Sequence, residues 1–179
     1  MILNFIEINN GFKNIEELEV LSKEAFPPEE YLSPNTIIEM AQNDKGIKFL
    51  ALYNKDNFIG YTVIKLYKTM AYLFFLAINP KYRLKGYGSE TIKLIKNEYK
   101  NYQHVVDFEM IDENAPNIKQ REKRREFYLK NGYKQTGQFL SYLGVSYEVF
   151  CSDDNFDFEM FKEMLKTLKI KGFKPKFFN

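Results

Sequence analysis

The chain is short of the residues that most site chemistry needs. Among its 179 residues there is one cysteine, Cys151, one histidine, His104, and no tryptophan. A disulfide framework is therefore impossible, a Cys/His zinc site would lack ligands, and no Cys–His pair stands in a catalytic motif, so no metal is expected. Glycine and proline are scarce too, at 9 and 6, which excludes collagen-like and low-complexity classes. Long apolar runs are absent: the longest, Met70 to Ile78, falls far short of the roughly 20 residues a spanning helix needs. The opening stretch meets Glu7 too early for a signal peptide. These absences together fit a reducing, cytoplasmic interior with no membrane partner.

What is present is an ordinary globular composition, 45% hydrophobic and 17% aromatic, in a length that suits one compact domain. The net charge of +2 is unevenly spread. Residues 1–60 carry an excess of five acidic groups, residues 61–135 an excess of seven basic groups, and residues 136–179 are balanced. A basic middle suits an anionic ligand held centrally, and an acidic first third suits a cationic one.

Periodicity lays out the elements. Ile15, Leu18, Leu21 and Ala25 recur at helical spacing up to Pro27-Pro28, and a second helix over Pro34 to Gln42 has Ser33 as its N-cap. Lys48–Tyr53 and Asn57–Lys68 read as a hairpin, and Ala71–Ile78 as a central strand, apolar on both faces. A helix over Ser89–Asn101, a strand over His104–Ile111, a helix over Asn117–Asn131 and strands over Gln138–Leu143 and Ser146–Cys151 follow. In the tail, Phe158, Phe161, Leu165 and Leu168 share one helical face. The order gives a mixed α/β sheet with helices packed on it.

The segment from Leu73 to Ser89 carries most of the information. A buried strand ends at Pro80, a basic loop with Gly86 and Gly88 follows, and a helix begins. Unpaired N–H groups at a helix N-terminus bind phosphate, glycines let the backbone approach it, and Arg83 and Lys85 add charge. A dinucleotide fingerprint would need a third glycine where Thr91 stands and a shorter lead from the strand, although Asp107 on the next strand imitates its ribose-binding acid. A phosphate loop of the Gly-Lys-Ser/Thr type is absent.

Leu76-Ala-Ile-Asn-Pro-Lys-Tyr-Arg-Leu-Lys-Gly-Tyr-Gly88 resembles the acetyl-CoA motif of the GNAT superfamily of N-acetyltransferases. Phe127-Tyr-Leu-Lys-Asn-Gly-Tyr133 resembles that family's later Phe-Tyr segment, with Tyr133 in place of the usual Phe. Phe26-Pro-Pro-Glu-Glu30 resembles the turn between the first two helices of some bacterial members. The resemblance implies a mostly antiparallel central sheet flanked by helices, in one domain over residues 1–151, with a C-terminal amphipathic helix and basic tail over residues 152–179. It implies an acetyltransferase that moves an acetyl group from acetyl-CoA to a small-molecule or peptide amine, by direct attack in a ternary complex and without a metal.

Residue by residue, the resemblance implies that Leu76, Ala77 and Ile78 pair with pantetheine like an added strand. The amides of Leu84, Lys85, Gly86, Tyr87, Gly88 and Ser89, flanked by Arg83, are to hold the pyrophosphate, and a backbone N–H near Ile78 the oxyanion. Tyr128 matches the acid that protonates the leaving thiolate. Asn117, Arg121, Arg124 and Tyr128 fall within an arc of about 60° on one helical face, so arginine charge is positioned to tune the phenol. Glu109 matches a general base that acts through water, with water alone as the other option. Asn114 or Asn117 contacts CoA, since residues 115–121 lengthen this stretch relative to the family. Glu29, Glu30 and Tyr31 line the acceptor side.

Other features read more plainly. In residues 119–126 glutamates interleave with the basic groups, so this is a solvated helix face and no nucleic-acid partner is expected. The basic, aromatic tail after Lys169 is expected to fray or to dock on its own domain, and His104 is structural. A homodimer is the self-association allowed for. The alternatives to the enzyme are a non-catalytic acyl-CoA-binding module and a dinucleotide-dependent enzyme.

Overall fold

The computed structural model describes residues 2–179. Eight strands and five helices form: β1 (Leu3–Glu7), α1 (Ile15–Ala25), α2 (Pro34–Asn43), β2 (Ile47–Asn54), β3 (Asn57–Tyr67), β4 (Met70–Ile78), α3 (Tyr87–Glu98), β5 (Gln103–Glu109), α4 (Ile118–Lys130), β6 (Lys134–Tyr142), β7 (Val145–Cys151), α5 (Phe158–Thr167) and β8 (Lys176–Phe178). Hydrogen bonding orders the strands β1-β2-β3-β4-β5-β7-β6-β8. β1 with β2, β2 with β3, β5 with β7, β6 with β7 and β6 with β8 are antiparallel, while β4 and β5 run parallel. The parallel pairing joins only Met70, Ala71 and Tyr72 to Gln103, His104 and Val105. β4 nonetheless continues to Ile78 and β5 to Glu109.

The chain forms two compact units, one of residues up to Leu66 with Leu73–Lys100, the other of Tyr67–Tyr72 with Asn101–Asn179. In the first, Ser33 caps α2 by accepting a hydrogen bond from the Thr36 amide at 3.1 Å, and Pro34 takes the first helical position where no donor is lost. Leu18 and Leu21 of α1 and Ile37 and Ile38 of α2 are buried, as are Phe49, Ala51, Leu52, Ile59, Tyr61, Val63 and Ile64 of β2 and β3. Ser22 on α1 donates to the Leu18 carbonyl and accepts from the Tyr61 hydroxyl, so its own polarity is satisfied inside the core. Lys65 is buried as well and is matched by Asp44 at 2.5 Å.

In the second unit β7 is the central strand, paired on both edges and buried from Tyr147 to Cys151. α5 starts at Asp157, whose carboxylate accepts from the Met160 amide at 2.9 Å, and it buries Phe161, Met164 and Leu165. α4 is polar along almost its whole length and buries a single residue, Tyr128.

Two strands lie where periodicity gives no strand. β1 has one buried residue, Leu3, and β8 none. Edge strands held by backbone pairing need little apolar alternation, so the pattern that reveals a strand is weak in both. β6 starts four residues before the expected Gln138. A register shift between Gln135 and Phe139, around Gly137 at φ 73°, interrupts its alternation.

Candidate active site

In the first unit the end of β4 is built by close backbone approach. Gly60 on β3 has φ 156°, and a Cβ placed there would stand 2.0 Å from the Ala77 carbonyl oxygen and 3.0 Å from the Ile78 Cα. Only glycine permits that approach, and sequence reading alone gave no reason to single it out. The Asn79 amide donates to the Ile59 carbonyl at 2.8 Å, and its side chain donates to Glu17 on α1 at 3.1 Å, closing the strand end. Leu76 and Ile78 pack partly buried beside Leu52 and Ile59, together with Tyr82, Tyr87 and Leu94, while Ala77 is buried.

A 3-10 turn over Pro80–Tyr82 leads into the glycine loop. Leu84 sits in the left-handed region at φ 61° and is fully exposed, and Gly86 caps α3 at φ 84°. A non-glycine residue in that conformation costs about 1–2 kcal/mol, a strain characteristic of ligand loops. Among the described residues no main-chain carbonyl takes the N–H groups of Leu84, Lys85, Gly86, Tyr87, Gly88 or Ser89; the first such helical bond is from Glu90 to the Gly86 carbonyl. Arg83 is engaged by protein: its Nε donates to the Ile78 carbonyl at 2.8 Å, and both terminal nitrogens bind Glu24 of α1, one at 2.8 Å. Lys85 donates to the Lys81 carbonyl and lies over the Tyr82 ring. In the α1–α2 turn, Tyr31 donates to Glu19 at 2.5 Å, Glu29 is exposed and Glu30 partly buried. Burial, then that hydrogen bond, pushes the Tyr31 phenol up to about 12.

In the second unit Tyr128 is 7% exposed and lies face to face on Phe108, with centroids 5.2 Å apart and 9° between planes. Tyr133 and Phe127 meet the same ring edge-on. Burial pushes its phenol up to about 12, Arg124 pulls it down, and Asp107 pushes it up. At neutral pH the hydroxyl therefore carries its proton.

Glu109, expected as a base, is 6% exposed and already receives hydrogens on both oxygens: Arg121 at 2.9 Å on Oε1, Arg124 at 3.0 Å on Oε2, and the Asn117 amide at 3.3 Å on each. Arg121 also donates to the Asn117 side-chain oxygen and to the Met110 carbonyl. Asn117 is thus committed to this ion cluster, whereas Asn114 lies exposed in the preceding loop. The i, i+4 and i+7 spacing of Asn117, Arg121 and Arg124 on α4 brings them onto one carboxylate.

Asp107, two residues before Glu109, makes a different arrangement. Its oxygens accept from the Tyr72 hydroxyl at 2.5 Å and the Tyr142 hydroxyl at 3.3 Å. Burial pushes its carboxyl up to about 6, and the two phenol hydrogen bonds pull the other way. Because the folded value exceeds the unfolded 3.8, the native state holds the proton more tightly. Stability is therefore lost as pH rises from about 4 to about 6 and stays lower above. Asp107→Asn is expected to be more stable than the wild type at pH 7–8, by at most about 2–3 kcal/mol, with the difference vanishing toward pH 4. Thermal denaturation across that range measures it, and equal pH dependence in both proteins would refute it.

Residues 12–133, more than half the chain, match the family model described as the acetyltransferase (GNAT) family. No curated protein matches the chain. Among solved structures, a GNAT-family acetyltransferase from Bacteroides thetaiotaomicron is similar at TM-score 0.75 and 22% identity, over 92% of this chain and 97% of that one. An aminoglycoside 6'-N-acetyltransferase complexed with coenzyme A is similar at TM-score 0.65 and 19% identity, over 88% and 100%. The PaiA N-acetyltransferase from Thermoplasma acidophilum, in complex with coenzyme A, is similar at TM-score 0.59 and 17% identity, over 83% and 98%. At these identities the likeness is one of fold. Among the described residues no helix is long and apolar enough to cross a membrane. A parallel strand pair that stops at Tyr72, a strand end braced by Gly60 and a glycine loop opening a helix agree with the family match, and the chain belongs to the GNAT family of acetyltransferases.

Proposed function

We propose that the protein transfers an acetyl group from acetyl-CoA to a primary amine. The observation that carries this reading is the run from β4 into α3, where six successive backbone N–H groups, Leu84 to Ser89, have no main-chain acceptor. Such a run at a helix N-terminus suits a pyrophosphate. Leu76, Ala77 and Ile78 lie on the part of β4 beyond its pairing with β5, where an extended pantetheine adds as a strand does. Arg83 joins the anion by exchanging Glu24 for phosphate, both side chains being exposed and so weakly bound to each other.

The thioester supplies an activated acetyl group. In this reading Tyr128, which carries its proton at neutral pH, gives it to the departing sulfur, and solvent water then returns a proton to the phenolate. Glu109, its oxygens held by Arg121 and Arg124, positions Arg124 near the phenol, and water takes the proton of the amine. Asn114, exposed and near the α4 N-terminus, is the asparagine left to contact the cofactor, while Asn117 holds the ion cluster. Glu29, Glu30 and Tyr31 border the acceptor.

A thermal-shift titration with CoA, acetyl-CoA, NAD and NADP side by side tests the reading, because a ligand of the folded state alone raises its apparent stability. A shift with the CoA pair only, followed by amine-dependent thiol release, is expected. A shift with the nicotinamide nucleotides alone would overturn it. Gly86→Ala is expected to weaken CoA about tenfold or more while costing about 1 kcal/mol of stability, since it places a Cβ at a left-handed position beside the anion. Calorimetric titration of CoA into that variant checks the affinity.

A further inference from the structure

The second unit holds three carboxylates in its interior strands, and they are not treated alike. Glu109 has two arginines, Arg121 and Arg124, and Glu148 has Arg125 at 3.3 Å. Asp107 has none: among the described residues no lysine, arginine or histidine forms an ion pair with it. A carboxylate drawn into protein without a cation is costly, and a chain with 26 lysines and arginines does not lack the means to neutralise one.

The surroundings of Asp107 suit a visiting cation. Protein encloses the carboxyl, yet the residue keeps a partly exposed surface. Phenols reach its two oxygens from either side of β5, Tyr72 from the adjacent β4 and Tyr142 from β6, which lies beyond β7. Tyr142 stacks on Tyr147 at 4.0 Å and 5°, and Phe173, from the segment after α5, meets Tyr142 edge-on at 4.9 Å. Tyr72 is met edge-on by Phe161 of α5. Aromatic rings beside a carboxylate are the chemistry that holds an ammonium, the charge answered by the carboxylate and the alkyl flank by the rings. On α5 Lys162 pairs with Glu159 and Glu163 with Lys68, and on β7 Glu148 pairs with Arg125, while Lys166 of α5 and Lys171, Lys174 and Lys176 on either side of Phe173 form no ion pair with Asp107. On α4 the Tyr128 phenol feels the Asp107 charge, which pushes it up.

We infer that Asp107, with Tyr72, Tyr142, Tyr147 and Phe173, is a seat for an alkylammonium group, and that the acceptor amine brings the cation this carboxylate lacks. The inference rests on the transferase reading and narrows its acceptor to a molecule bearing a protonated amine on an alkyl arm. It also gives the C-terminal segment, which lies beyond the family match at residues 12–133, a part in acceptor recognition through Phe173.

The test is direct binding to the full-length chain at neutral pH and low salt, by calorimetry or chemical-shift titration, with CoA present. Butylammonium and tetramethylammonium are the cations, and butanol is the neutral control. The wild type is expected to bind the cations in the millimolar range and to ignore butanol. Asp107→Asn is expected to lose about tenfold or more. Phe173→Leu, which leaves the carboxylate and the strands intact, is expected to lose a few-fold, more for tetramethylammonium. Cations bound equally by Asp107→Asn and wild type, or bound no better than butanol, overturn the inference. So does cation silence in samples where CoA binds. CoA titration in the same samples keeps the two readings apart: failure to bind CoA counts against the transferase, and ammonium binding that depends on Asp107 upholds the seat in either case.

Discussion

Gly60→Ala is expected to lower stability by about 3 kcal/mol or more, a loss of many degrees in Tm for a chain of this size. The added methyl would lie 2.0 Å from the Ala77 carbonyl oxygen and 3.0 Å from the carbonyl carbon and from the Ile78 Cα. Those are main-chain atoms of a strand anchored at its end by the Asn79-to-Ile59 hydrogen bond, so no flexible side chain can yield. Backbone at φ 156° adds strain for any L side chain. Relief requires β4 to move away from β3 over Ala77 and Ile78, the residues proposed to pair with pantetheine, so CoA affinity should fall together with stability. Gly86→Ala offers the contrast, weakening CoA about tenfold or more at a stability cost of only about 1 kcal/mol. Denaturant unfolding and CoA titration on the two variants separate the effects, and a Gly60→Ala protein of wild-type stability would show that the close approach relaxes freely.

Tyr128→Phe is expected to lower kcat by about 100-fold or more with CoA affinity and KM for the amine little changed, as removal of an acid used only in the transition state does. The ring is held by Phe108, Phe127 and Tyr133, and all of those contacts survive in Phe. The hydroxyl has no hydrogen-bond partner among the described residues, so stability should change by less than about 1 kcal/mol. The pH dependence supplies an independent check. A phenol raised to about 12 loses its proton only as pH climbs through that value, so the wild-type rate should show no alkaline fall caused by Tyr128 below about pH 11. Steady-state thiol release with both proteins measures this. Unchanged turnover in Tyr128→Phe would remove the phenol from the chemistry and leave it a packing residue.

How much of this was legible beforehand differs from element to element. The glycine loop could be read because its signal is local: a buried strand, a proline, Arg83, two glycines and a helix start follow within a few residues, and each fixes the backbone of its neighbours. α4 could be placed as well, along with the shared face of Asn117, Arg121, Arg124 and Tyr128, because helical spacing is regular. The same spacing did not say that those arginines would close on Glu109, since that meeting joins α4 to β5. β1 and β8 left almost no trace, being edge strands that backbone pairing holds.

The amino-acid order alone determined the elements from α1 to α5, the glycine loop of residues 83–89 that opens α3, and the place of Tyr128 on α4. Each rests on periodicity or on the backbone preferences of single residues, which act over a few positions. Tertiary structure alone decided that Gly60 must be glycine, that Glu109 is neutralised by two arginines, and that Asp107 is left with phenols and no cation. Gly60 lies 17 residues from Ala77, and Asp107 lies 35 from both Tyr72 and Tyr142. Contacts at such distances along the chain arise from strand order and register, which no local pattern encodes.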